Sequence, residues 1–260
     1  MLKNKTVIYT AISAGYDDLV DPKYISPNCD YICFTDDMNL KSDIWNIKKF
    51  PNAKLDSTLK NRFVKILPHL IFPNYKFSLY IDGNIDIIGD VELLVEKYIV
   101  ESNYKIAIPK HPERNCLYQE AKACIDMGKD KPDIIDNQIK KYREEGFPKN
   151  IGLTENNIIF REHNNKEVKE FMDRWWKEYN KFSKRDQLSF RYISWKYNYD
   201  YNAIDINSRE TNSFFKIRKH KLKGIRRIWQ LIRIKRDKNV FNKTLYNTVK
   251  YLKEIINNFR

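Results

Sequence analysis

The apolar, β-favouring run Ser78-Leu79-Tyr80-Ile81 stops abruptly on Asp82-Gly83-Asn84-Ile85-Asp86. Two carboxylates and an amide then alternate with apolar or small residues. Oxygen donors spaced in this way suit a hard divalent cation such as Mn²⁺ or Mg²⁺, which in turn neutralises a diphosphate. The same stretch also fits a strand closed by an Asp-Gly turn. Upstream, Leu59, Phe63, Ile66, Leu67 and Leu70 repeat at helical spacing and leave Arg62, Lys65 and His69 on the other face. Such a row is either a solvated basic face or a set of charge-assisted donors for phosphate oxygens.

The elements that must position these groups can be read in order. Lys5–Thr10 (KTVIYT) is a first strand entering the small, polar loop Ala11–Asp18, and Tyr31–Phe34 is a second that ends at Thr35-Asp36-Asp37. Ile44–Lys48 and Lys105–Pro109 are further strands, as is Asn157–Phe160. Neither a G-x-G-x-x-G fingerprint nor a P-loop follows any of them. Helices are expected over 56–70, broken or kinked at Pro68, and over 91–99, with Asp90 as N-cap. Others are expected over 115–127, 132–145, 165–179 and 183–195. Ser183 and Asp186 have the S-x-x-D spacing of a capping box, which gives Asp186 a structural role as one alternative. Strands alternating with helices predict an α/β sheet of mostly parallel strands.

Composition narrows the classes. With 260 residues, 42% of them hydrophobic, the chain can bury a full core. Cys29, Cys33, Cys116 and Cys124 form neither a C-x-x-C pair nor a zinc pattern, and a reducing, intracellular environment is expected. No signal peptide and no membrane-spanning segment is expected. The net charge is +14, but residues 214–260 hold 15 Lys/Arg against Asp237 and Glu254, which is +13 and leaves about +1 for the rest. Within that tail Leu222, Ile225, Ile228, Trp229 and Ile232 share a helical face flanked by Lys221, Lys223, Arg226, Arg227, Arg233, Lys235 and Arg236. That pattern suits an anionic membrane surface, or a helix docked on its own domain. No nucleic-acid-binding motif accompanies the charge.

Seven motifs then occur in a fixed order: YTAISAGYDDL (9–19), CDYICFTDD (29–37), RFVKILPH (62–69), SLYIDGNI (78–85), HPERNCLYQEA (111–121), the EGFP/GLTENNIIFREHN region (145–164) and RDQLSF (185–190). Their joint order resembles the glycosyltransferase-like family known as domain of unknown function 616, over about residues 5–200. The resemblance implies a GT-A-like, Rossmann-type sandwich and a role in bacterial polysaccharide or capsule synthesis. It implies that Thr10, Ala11 and the loop after them, with Asp36 or Asp37, hold the base and ribose. Arg62 and Lys65 would face the diphosphate. Asp82 and Asn84 occupy the D-x-D metal positions, with an amide where the second acid is usual and Asp86 as a substitute. His111, Arg114 and Glu120 would lie near sugar or acceptor, opposite Glu155, His163, Asp186 and Gln187. An inverting reaction would need a carboxylate base, for which Asp186 and then Glu155 are the candidates.

The expectation is therefore a domain over 1–213 and a basic helical tail over 214–260. The enzyme would be a hexosyltransferase-like, nucleotide-sugar-dependent glycosyltransferase. It would be cytoplasmic, peripheral to the inner face of the cell membrane, and would act on a glycan or lipid-linked acceptor. The competing expectation is a non-catalytic α/β binding protein whose tail contacts nucleic acid or a partner.

Overall fold

Alternation along the first strand divides the interior in two. In β1 (Lys3–Ile12), Val7, Tyr9 and Ala11 enter one apolar cluster while Ile8 and Ile12 enter another, and none of these is more than 4% exposed. A strand buried on both faces belongs at the centre of a sheet. The computed structural model describes residues 3–220, Ile232 and 239–258. Around β1 lie β2 (Cys29–Thr35), β3 (Asn46–Lys49), β4 (Tyr75–Ile81), β6 (Ile106–Pro109), β7 (Ile158–Arg161) and β8 (Asn202–Ile204). They form one seven-stranded sheet of order β3-β2-β1-β4-β7-β6-β8. Four of its six pairings are parallel, and the two that flank β7 are antiparallel. A separate two-stranded ribbon pairs β5 (Ile85–Ile87) with β9 (Phe215–Ile217).

Helices α1 (Ser57–Ile66), α2 (Pro68–Ile71), α4 (Leu117–Asp126), α5 (Pro132–Glu144), α6 (Lys166–Lys181) and α7 (Asp186–Lys196) send apolar side chains into the first cluster. The second is closed by α3 (Glu92–Val95), its π-helical continuation Glu96–Val100, and the β5–β9 ribbon. The expected mixed α/β architecture is what the chain adopts, with β7 as the reversal.

Local structure bears on three expectations, and the first, a break at Pro68, it keeps. The helix expected over 56–70 is capped by Asp56, whose Oδ1 accepts from the amides of Thr58 (2.8 Å) and Leu59 (2.9 Å), and it breaks at Leu67. Pro68 then opens α2, because its ring forbids the next helical hydrogen bond. The capping box does not form: Arg185 is the N-cap of α7, and Ser183 Oγ donates instead to Gln138 Oε1 at 2.5 Å. Last, β9 and the residues up to His220 pack on the domain although they lie beyond the expected boundary at 213. The amphipathic segment over 221–236 lies, Ile232 apart, outside the described residues. Further on, α8 (Val240–Asn258) is helical, with Val240 81% and Phe241 73% exposed. No helix among the described residues is long and apolar enough to cross a membrane.

Candidate active site

Strand direction gathers the polar side chains at one edge. β1, β4 and β6 run the same way, so their carboxyl ends bring the loop from Ala11 to Asp17, the turn Asp82-Gly83-Asn84, and His111 to Arg114 to a common rim. Because β7 runs against them, it is the residues before it, Glu155 to Asn157, that reach this rim. The amide of Asp82 donates to Asn157 O at 2.8 Å and locks the two together. The rim encloses a cavity of about 580 Å³, within the range of ligand pockets.

One wall is cationic. Lys65 is 1% exposed, and its Nζ lies 2.6 Å from Asp186 Oδ2 and 3.4 Å from Asp82 Oδ1. Arg62 Nε is 3.6 Å from the same Asp186 oxygen. Burial by itself pushes the Asp186 carboxyl up, but Arg62, Lys65 and Arg185 outweigh it and hold the group well below the ordinary carboxylate range. Asp186 is thus a fixed anion that orients two cations, and such a group is a weak proton acceptor. Arg185 also lines the cavity, and its buried Nε has no hydrogen-bond partner among the described residues.

Behind this wall Arg161, 1% exposed, donates from Nη1 to Lys65 O at 2.8 Å and from Nη2 to Tyr9 Oη at 2.5 Å. It fixes the last turn of α1 from the core side.

At the floor, Tyr80 Oη donates to Asp82 Oδ1 at 2.9 Å. Gly83 permits the turn to press on the β1 loop, since a Cβ there would stand 2.8 Å from Ile12 Cγ1. Asn84 Nδ2 donates to Arg218 O at 2.9 Å, which leaves Oδ1 as the oxygen able to ligate. The same Nδ2 is 3.5 Å from His220 Nε2, and His220 Nδ1 pairs with Asp17 Oδ1 at 2.9 Å. Asp17 thus orients the His220 imidazole from one side, while its Nε2 faces the Asn84 amide nitrogen. Among the described residues no three His, Cys, Asp or Glu side chains are gathered for a metal. Asp82 and the Asn84 amide oxygen are the groups here that could hold a divalent cation, with His220 beside them on the cavity lining.

The opposite wall carries Glu155, 6% exposed, whose Oε1 pairs with Arg209 Nε (2.7 Å) and Nη2 (2.6 Å) while Oε2 is buried without a partner. Nearby, Arg114 Nε donates to Glu120 Oε2 at 2.7 Å. Burial pushes the His111 imidazole down, so it is neutral at pH 7. Its Nδ1 accepts from the amides of Glu113 (3.1 Å) and Arg114 (3.0 Å), which makes it a brace for this loop.

Residues 1–220 match the family described as "TOD1/MUCI70, glycosyltransferase-like domain". The chain belongs to that family. In Arabidopsis thaliana the protein named probable hexosyltransferase MUCI70 is 29% identical to this TOD1/MUCI70 domain over 213 residues, covering 71% of this chain and 36% of that protein. The protein named alkaline ceramidase TOD1, from the same plant, is 29% identical over 159 residues, or 58% of this chain and 34% of that protein. The chain spans about a third of the length of these curated relatives. Among solved structures, mouse xyloside xylosyltransferase 1 in its apo form is similar with a TM-score of 0.46 and 9% identity, over 77% of this chain and 85% of that one. The glycosyltransferase GlyE of Streptococcus pneumoniae TIGR4 has a TM-score of 0.41 and 11% identity, over 78% of this chain and 46% of that one. These TM-scores are too low to establish a shared fold.

Within the TOD1/MUCI70 domain the cavity brings together Ala11, Arg62, Lys65, Asp82, Asn84, His111, Arg114, Glu120, Glu155, Asp186 and Gln187 from the sequence expectations. Others lie elsewhere. Thr10 is 1% exposed behind the rim. Asp36 accepts the amide of Ala14 at 2.9 Å and shapes the loop, in which Ala14 takes a left-handed φ of 52°. Asp37 accepts the amide of Asn39 at 3.0 Å. Asp86 cannot stand in for the second metal acid, because alternation along β5 turns it to Arg218 Nε at 2.5 Å. His163 is fully buried against Phe72 O, 2.9 Å away. His69 separates from Arg62 and Lys65 and meets Asp173 at 3.3 Å.

Sequence reading did not single out Asp17, Tyr80, Asn156, Arg185, Arg209 or His220. Asp17, Tyr80, Asn156 and Arg185 lie inside the motifs YTAISAGYDDL, SLYIDGNI, GLTENNIIFREHN and RDQLSF, which gave a signal, whereas Arg209 and His220 lie outside every motif.

Proposed function

We propose that this domain transfers a hexosyl group from a nucleotide sugar, with uridine diphosphate as leaving group, to a glycan or lipid-linked acceptor in surface polysaccharide or capsule synthesis. The observation that carries the reading is the cationic wall of Arg62, Lys65 and Arg185 set beside Asp82 at the carboxyl edge of β1 and β4, where α/β sheets hold phosphate ligands. Preorganised cations there stabilise the charge that develops on the departing diphosphate. Similarity to the plant protein named probable hexosyltransferase MUCI70 supports the same class.

Glu155 is the residue assigned as base for an inverting transfer, since its Oε2 is unpartnered and Arg209 fixes its orientation. Asp186 serves as the anchor of Lys65. Asp82 and Asn84, with His220 beside them, would hold a Mn²⁺ or Mg²⁺ ion, which would supply further positive charge to the leaving group. The GT-A-like character of the fold belongs to this proposal. So does attachment of the basic tail to the anionic inner face of the cell membrane.

The test is thermal stability with a panel of nucleoside diphosphates, with and without Mn²⁺. Uridine diphosphate should raise Tm, since a ligand that binds only the native state must stabilise it. If no nucleotide does so, the non-catalytic alternative stands, and a salt-sensitive shift with DNA or RNA would favour it directly.

A further inference from the structure

Two consecutive side chains on the cavity wall are buried with an unused polar atom each. Asn156 is 2% exposed: its Oδ1 accepts from Thr154 Oγ1 at 2.7 Å, and its Nδ2 has no partner. Asn157 is 7% exposed: its Nδ2 donates to Ser208 Oγ at 3.0 Å, and its Oδ1 has no partner. Buried amide atoms left without a hydrogen bond are costly, so such groups in a cavity wall mark places where a ligand completes the bond. In both residues one end of the amide is anchored by a hydroxyl, which fixes the direction in which the other end is offered.

Their position says what that ligand is. The chain leads from Asp82, through the bond between the Asp82 amide and Asn157 O, to Asn157, Asn156 and then Glu155. The diphosphate site lies at the first end of this path and the assigned base at the other. The group between a leaving diphosphate and an acceptor base is the sugar being transferred. An N–H donor beside a C=O acceptor matches ring hydroxyls, each of which both donates and accepts.

We infer that Asn156 and Asn157 are the sugar-reading residues of the donor site, holding two hydroxyls of the hexose attached to the nucleotide. This rests on the nucleotide-sugar reading above. Such a site separates a nucleotide sugar from the bare nucleotide, and it rejects sugars that lack the hydroxyls it bonds, because the amides are then left unpaired.

The experiment is calorimetric binding of uridine diphosphate, UDP-glucose and UDP-galactose, with and without Mn²⁺, to the unaltered chain, Asn156→Ala and Asn157→Ala. Folding is checked by the Tm of each variant. The expected result is that at least one UDP-hexose binds the unaltered chain more tightly than uridine diphosphate. Each substitution should reduce that advantage about tenfold while affinity for uridine diphosphate moves less than twofold. A variant whose Tm collapses is replaced by Asn156→Ser or Asn157→Ser, which keeps a polar atom towards Thr154 or Ser208.

An unreduced hexose advantage in the variants would overturn the assignment, as would equal affinity of the unaltered chain for nucleotide and both nucleotide sugars. Failure of uridine diphosphate itself to bind would instead strike the underlying functional reading.

Discussion

Asp186 shows how a residue's surroundings decide between two roles open to the same carboxylate. A base must be able to take a proton, whereas Asp186 is buried against Lys65 at 2.6 Å and shifted well below the usual carboxylate range by three neighbouring cations. Asp186→Ala should therefore cost about 3 kcal/mol by stranding Lys65 and Arg62 in the interior, seen as a fall of several degrees in Tm. Unchanged Tm with lost turnover would restore the base role.

Asp82→Ala, at a half-buried position, should leave the fold intact and remove any Mn²⁺ dependence of nucleotide affinity. Retained Mn²⁺ dependence would reject the metal assignment. His163 gives a pH signature unrelated to catalysis. Burial pushes its imidazole down to about 4 from 6.5, so between these values the unfolded chain binds a proton that the folded chain refuses. Its contribution is complete above pH 6.5 and about 3 kcal/mol of it is lost on acidification towards pH 4. In His163→Gln, chemical denaturation across this range should show a smaller slope with pH.

At the scale of elements, the site depends on two joints. The first is α1, held at its start by Asp56 and at its end by Arg161, so that Arg62 and Lys65 face the cavity. The second is the β5–β9 ribbon, which carries Arg218 and His220 back to the Asp82 turn. Its packing requires Gly89, where a Cβ would stand 2.1 Å from Ser213 O. Gly89→Ala should destabilise the domain by about 1–3 kcal/mol and weaken Mn²⁺ binding measured by calorimetry, because the ribbon must shift to admit the methyl group. Undisturbed Mn²⁺ affinity in a destabilised variant would detach His220 from the metal site. The helical periodicities around Phe63 and Trp175 were legible because amphipathic spacing is a local property. The direction of β7 was not, and with it the placing of Asn156 and Asn157 at the rim.

For the whole molecule, the charge is divided between a near-neutral domain and a strongly basic end. Deletion of 221–260 respects β9 and His220, which deletion from 214 would not. The shortened chain should keep its Tm and nucleotide affinity while losing sedimentation with anionic liposomes, since each basic residue near such a surface contributes about 1 kcal/mol. Equal sedimentation of the two forms would remove the membrane role.

The sequence by itself determined the alternating α/β elements, the basic end, and the two clusters around Lys65 and Asp82, since spacing, capping and composition act between near neighbours in the chain. Only the tertiary structure decided that Asp186 is spent on Lys65, that Asp86 faces Arg218, and that His220 stands beside Asn84. Those partners are separated by more than a hundred residues in the chain or are set by strand pairing. Burial and opposite charge, which fix the state of each group, arise only once the strands have met.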